Sequence, residues 1–185
     1  TGMIDASILA TELILTFRPK FLIMEGVLGG RPKEVEIGDV IIATKVFTPE
    51  KGKINHLGFQ KEMVVSNPEH ASLTKLRRER KRIEDFLASS APSRYKGSQI
   101  HFGPIGCVSK VIDLEGYFDE EIASVERKAI ALEMESYGVT RACELVNNGN
   151  TKPIIVKAVM DNTMDKVDDA KRLAAWNSAM VVRYI

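Results

Sequence analysis

The sequence predicts an α/β fold: a three-layer sandwich with a central mixed sheet and helices on both sides, formed by one domain over residues 1–185. Two observations predict it. Short runs rich in β-branched residues, such as 40–44 and 152–159, alternate with segments of helical period, such as 6–17 and 168–184. The chain also has no internal repeat, linker or low-complexity segment that would divide it.

The elements follow in order. Ile8, Leu9, Leu13, Ile14 and Phe17 recur at helical spacing, and Pro19 closes that helix. Residues 21–24 form a short apolar run before Gly26, so a buried strand feeding a glycine turn is expected. Residues 40–44 read as a strand. Residues 45–68 show no long period and read as an excursion with short strands.

Residues 69–89 read as a helix, with Leu73, Leu76, Ile83, Phe86 and Leu87 on its apolar side. Its run from Arg77 to Arg82 is a solvated face rather than an anion patch, because Glu79, Glu84 and Asp85 interleave with it. Residues 98–103 and 106–108 read as two strand pieces around Pro104. Residues 119–128 read as a polar amphipathic helix, 129–132 as a strand and 136–146 as a helix. A turn at 147–150 then leads to the strand 152–159 and the final helix 168–184.

Composition excludes several function classes. The chain has 26 basic and 25 acidic residues, so no global field favours nucleic acid or a membrane surface. No apolar run approaches a bilayer-spanning length, and no secretory pattern opens the chain. Cys107 and Cys143 make neither a disulfide framework nor a zinc site, and a cytoplasmic location is the simplest expectation. His56, His70 and His101 lack metal-ligand spacing, so no metal and no cofactor is expected. The opening Thr1-Gly2-Met3 and the abrupt end over 179–185 lead us to expect a domain truncated at both ends.

Two segments concentrate the chemistry. Glu133-Met134-Glu135 places two carboxylates around a methionine where an apolar run turns helical. On a helix those two carboxylates cannot share a face, so one should meet a ligand while the other turns away. The run Val156-Lys157-Ala158-Val159-Met160-Asp161 ends a β-rich stretch on an acid. Ligands of open α/β sheets bind beyond the carboxyl ends of the strands, and both segments end there. Taken singly, Asp161 reads as a loop or helix-capping residue and Met134 as core. A third piece is Gly26-Val27-Leu28-Gly29-Gly30, where glycines let backbone approach a ligand closely. Cys107 has no His near it in sequence and reads as a buried structural thiol.

Together these three segments resemble the nucleoside phosphorylase and nucleosidase superfamily, which breaks the N-glycosidic bond of nucleosides. The resemblance runs from Gly2 to the last helix. Among its members the chain looks closer to methylthioadenosine/S-adenosylhomocysteine nucleosidase-like domains, especially those fused to signalling or defence proteins. It implies a phosphorylase/hydrolase-like fold whose N-terminal part is absent from this chain. It also implies that Asp161 is the general acid that protonates the leaving base, and that Glu135 accepts from the ribose hydroxyls. Met134 would lie against the sugar, with Glu133, Gly26 and Val27 also in the substrate site. Val111 stands where relatives often place a base-stacking aromatic. Val27 stands where they often place a hydroxyl residue that helps bind phosphate or water, which argues for hydrolysis. The group that activates water would lie in the absent N-terminal part.

The expected function is therefore hydrolysis of a purine nucleoside or nucleotide by a cytoplasmic nucleosidase. A phosphate-dependent phosphorylase and a catalytically degenerate nucleoside-binding or dimerisation domain stay open as alternatives. The expected partners are a small-molecule nucleoside or nucleotide and further copies of the chain, a homodimer or larger homo-oligomer. The apolar residues Phe47, Ile54, Leu57, Phe59 and Met63 of the 47–63 excursion would make that contact.

Overall fold

The computed structural model describes residues 2–56, 58–91, 97–162 and 168–185. Helix α1 (Met3–Phe17) buries Ala10 and Ile14. It stops at Arg18, whose left-handed backbone (φ 46°) lets its N–H donate to the Ile14 carbonyl, and Pro19 then prevents continuation. Strand β1 (Phe21–Gly30) follows, then the hairpin of β2 (Val40–Asn55) and β3 (Gly58–Ser66). Helix α2 (His70–Ser90) leads to β4 (Ile100–Cys107), a π-helical turn at Phe118–Ala123 and the short β5 (Ala131–Glu133). Helix α3 (Ser136–Leu145), a 3₁₀ turn at Val146–Gly149, β6 (Lys152–Asp161) and α4 (Asp168–Tyr184) complete the order.

The expected central mixed sheet is present, six strands in the order β3-β2-β4-β5-β1-β6. The sheet is not open, however. β2 also pairs antiparallel with β6, Val40 opposite Ala158, so the five strands from β2 round to β6 close into a ring. The right-handed twist accumulated across strands allows this closure. β3 lies outside the ring and, among the described residues, pairs as a strand with β2 alone.

Helices cover both faces, as expected. On one face α1 and α3 pack Ile14, Val139 and Cys143 against Leu28, Ile41, Ile105 and Ile155. On the other, α2 and α4 pack Leu73, Ile83, Leu87 and Val181 against Val40, Ile42, Ile100 and Val156. The period of two along a strand sorts these sets: Ile154, Val156 and Ala158 face one way, Ile155 and Val159 the other. The surface of α2 carries the ion pairs Arg80–Glu84, Lys81–Asp85 and Arg82–Glu79, so its charge run is a solvated face. Such exposed, solvent-screened pairs contribute little to stability. Each buried Leu or Ile contributes about 1.5–3 kcal/mol, so burial holds this helix.

Four expectations are corrected. The glycines after Met24 do not form a turn; they continue β1, paired to β6 through Val27 and Leu28 and to β5 at Gly29 and Gly30. Close packing keeps them small: a Cβ on Gly30 would lie 2.6 Å from Val35 and 2.8 Å from Val159. The 45–68 excursion is one long hairpin whose polar outer half gives no apolar period. The two strand pieces around Pro104 are a single strand, because a register shift in β2 between Ala43 and Lys45 accommodates the missing proline N–H. The helix expected over 119–128 is a single π-helical turn, in which only Phe118 and Ile122 are buried.

Candidate active site

The closed ring brings the ends of β1, β5 and β6 together. Register places Gly29 beside Leu132 on one side and Asp161 on the other. Ile155, Lys157 and Val159 alternate onto one face of β6, the face covered by α3, and a register shift beyond Leu28 then makes Asp161 the partner of Gly29. The two segments singled out by sequence therefore meet at the start of α3. There Met134, Glu135 and Asp161 line one cavity of about 950 Å³, with Val27, Leu28, Gly29, Glu133 and Lys157 also in its wall. Asp161 is buried.

Glu133 and Glu135 do not sit on a helix. Glu133 ends β5 and Glu135 is the N-cap of α3, so the helical-face argument does not apply to them. Both carboxylates instead converge on Lys157, whose Nζ lies 3.2 Å from an oxygen of each. Glu133 also caps α3. Its oxygens accept from the Glu135 and Ser136 backbone N–H groups at 3.0 Å and from the Ser136 hydroxyl at 2.6 Å. An anion at a helix N-terminus satisfies otherwise orphaned N–H groups and complements the helix dipole.

The side chains of Lys157 and Glu133 are 4% and 2% exposed, that of Glu135 21%. Burial alone would lower the Lys157 pKa, but Glu133 and then Glu135 outweigh it and hold the ammonium above its ordinary value. Burial alone would likewise raise the Glu133 pKa. The Lys157 charge, the Ser136 hydroxyl and the backbone N–H of Glu135 reverse that and keep Glu133 ionised. Buried charges persist only when paired and hydrogen-bonded, and this pair is both.

Sequence reasoning assigned no role to Lys157. Its signal was available: a lone lysine inside Ile154-Ile155-Val156-Lys157-Ala158-Val159, a strand buried on both faces.

The remaining sequence candidates lie as follows. Gly26 is not in the cavity wall; it is the register partner of Lys157 on β1. Val111 reaches the cavity only at its rim and is 68% exposed. Cys107 is buried beside Glu133. Burial, and then that carboxylate, push its thiol pKa far above the ordinary value, as suits a structural thiol and not a nucleophile. His101 donates or accepts at 2.8 Å with the buried Asp39, a satisfied polar pair away from the cavity. Among the described residues no group of three His, Cys, Asp or Glu converges as metal ligands would, and no helix is long and apolar enough to cross a membrane.

Comparisons with known proteins bear on the family and the fold. The phosphorylase superfamily model matches residues 1–185. The uncharacterized protein y4jS of Sinorhizobium fredii is 22% identical over 171 residues, covering 86% of this chain and 40% of that protein. The chain thus spans well under half of that relative's length. The structure is similar to that of the 5′-methylthioadenosine/S-adenosylhomocysteine nucleosidase of Neisseria meningitidis, solved with methylthio-immucillin-A. The TM-score is 0.75 at 22% identity, over 98% of this chain and 75% of that one. The nucleosidase of Colwellia psychrerythraea 34H, solved with adenine, gives a TM-score of 0.75 at 17% identity over 98% and 72%. At these identities the likeness is one of fold.

Proposed function

This chain belongs to the phosphorylase superfamily, and we propose that it hydrolyses the N-glycosidic bond of a purine nucleoside or nucleotide. The observation that carries the proposal is the convergence of Met134, Glu135 and Asp161 on one cavity at the joined ends of β5 and β6. That the solved nucleosidases of similar fold hold adenine or a nucleoside analogue supports the same reading.

In the proposed reaction the ribose 2′ and 3′ hydroxyls donate to the Glu135 carboxylate. The bond from the anomeric carbon to the base nitrogen breaks, and its electron pair leaves with the base. Asp161 delivers a proton to the base as general acid, worth roughly 10²- to 10⁴-fold in rate. The negative charge of Glu135 favours the positive charge developing on the sugar. Water adds to the anomeric carbon and gives up a proton, which balances the one lost by Asp161. Met134 supplies an apolar contact to the sugar. Glu133 contributes from beneath, through Lys157 and the α3 cap, and Val111 leaves the base side open.

Phosphorolysis is the second reading, and one observation favours it: Lys110 and Lys171 also line the cavity and could attract an anion. Val27, without a hydroxyl, weighs the other way. The test is chromatography of purine nucleosides and nucleotides incubated with the full-length protein, with and without phosphate. Free base and free sugar without phosphate are the expected result. A strict phosphate requirement makes the protein a phosphorylase. Tight binding with no release makes it a nucleoside sensor and overturns the catalytic reading.

A further inference from the structure

Strand β4 ends at Cys107, and the chain that leaves it builds one wall of the cavity, lined by Val108, Lys110, Val111 and Ile112. Ser109 is the exception in this run. Its backbone N–H and its hydroxyl both donate to one oxygen, Oε1 of Glu50, at 2.9 and 2.8 Å. One residue earlier, the Val108 N–H donates to the Glu133 carbonyl on the β5 side at 2.9 Å. Beyond Ser109 the support thins. Among the described residues the next backbone hydrogen bond comes at Leu114, whose carbonyl accepts from the Tyr117 N–H. Packing does not replace it: Ile112 meets a core cluster, but Val111 and Leu114 are exposed.

Glu50 is free to reach Ser109 because β2 shifts register against β3. Thr48 pairs with Val64 and Lys51 with Glu62, so Pro49 and Glu50 stand opposite Met63 alone. The Glu50 N–H donates to the Thr48 hydroxyl oxygen at 3.3 Å and takes no place in the ladder. Bulges of this kind re-aim a side chain and recur beside functional sites. We propose that Glu50 is a positioning residue that sets the base-side wall of the cavity, by fixing Ser109 so that its neighbours Val108, Lys110, Val111 and Ile112 face inward. That this wall meets a base rests on the nucleosidase reading above. A charged acceptor holds an N–H and an O–H more firmly than a neutral one. A wall fixed before binding also spares the cost of ordering it on binding. Strands β2 and β3 thus shape a cavity that none of their described residues lines.

The test uses the full-length protein, with adenine and adenosine as probes in titration calorimetry. Glu50 lies outside the core clusters, so its variants keep the fold. Glu50→Ala should weaken adenine binding about tenfold, because ordering even one freed residue costs on that order. Adenosine should lose the same factor, since the wall faces the base that both share. Glu50→Gln, whose side-chain carbonyl can accept the same two bonds, should bring affinity back to within about threefold of wild type. Ser109→Ala keeps the N–H, loses the hydroxyl and should fall between. Trypsin reads the wall without a ligand. Lys110 is exposed within it, and cleavage after Lys110, followed by mass spectrometry, should be about tenfold faster in Glu50→Ala. Cleavage after the exposed Lys75 of α2 should not change.

Adenine affinity in Glu50→Ala within about twofold of wild type overturns the proposal. So does a loss confined to adenosine, which would put the wall against the sugar. An equal rise in cleavage after Lys110 and Lys75 marks a general structural role and overturns it as well. If wild type binds neither probe, the purine reading falls, and the cleavage comparison alone decides whether Glu50 holds the wall. An unchanged rate after Lys110 then overturns that too.

Discussion

Asp161→Asn should abolish turnover while leaving nucleoside binding largely intact. The amide keeps the shape of the side chain but cannot deliver a proton, so the loss should be roughly 10²- to 10⁴-fold in kcat with KM little changed. Glu135→Ala should act differently. It removes hydrogen bonds to a charged acceptor worth about 1.5–3 kcal/mol each, and both KM and kcat should suffer. Steady-state kinetics on any substrate the parent cleaves separates the two, and wild-type turnover by Asp161→Asn would dismiss the general acid. The types and order of these residues were legible in the sequence, because acids at the ends of apolar strands are rare as packing. The partnership of Glu133 with Lys157 was not legible. It depends on β5 and β6 lying on either side of β1 and on both side chains turning to the same face.

At the scale of elements, the contact between α1 and α3 is set by one atom that is absent. A Cβ on Gly138 would lie 2.0 Å from the Met3 carbonyl oxygen and 2.9 Å from its carbon, both backbone atoms that cannot swing away. Gly138→Ala should therefore push the start of α1 off α3. We expect a destabilisation of about 1–3 kcal/mol in urea unfolding, despite alanine's better helix propensity. A neutral or stabilising outcome would show that the two helices do not pack at this distance. Helices α2 and α4 were readable to within a residue or two from their apolar period. The hairpin and β4 were not, since a long strand that leaves the core loses its alternation, and a proline inside a strand imitates a break.

For the whole molecule, buried charge sets the pH dependence of stability. Glu133 and Asp39 are both held below their ordinary values of 4.5 and 3.8. In each, burial opposes ionisation and is outweighed: by Lys157 and then Ser136 for Glu133, by His101 and backbone N–H groups for Asp39. Their contribution is fully present above those ordinary values and is lost as pH falls through the lower folded ones. Lys157, held above 10.5, contributes fully below that pH and loses its contribution as pH rises through its folded value. Urea midpoints measured from pH 2 to 7 should fall on the acid side, and Glu133→Gln should flatten that fall. A slope unchanged by the substitution would remove Glu133 from the account.

The same scale holds the proposed self-association. Phe47 is buried in the core under the hairpin, so it cannot make that contact, and Leu57 lies outside the described residues. On the otherwise polar outer half of the hairpin, Ile54, 79% exposed, is the register partner of Phe59, and Met63 is exposed as well. Sedimentation at micromolar concentration should show a dimer or larger, reduced by Ile54→Asp; a monomer would count against it.

The sequence by itself determined the class of fold and the alternation of its elements, and it singled out the three carboxylates and the methionine of the candidate site, because hydrophobic period and strand-end acids are local signals. Only the tertiary structure decided which of those groups are neighbours. Closure of the sheet through β2 and β6 is a non-local pairing that no window of sequence contains. The same holds for the ammonium between two glutamates, which depends on strand register and on which face a period-two side chain takes. The site's charge balance is thus a property of the folded ring, written in residues that lie some twenty positions apart in the chain.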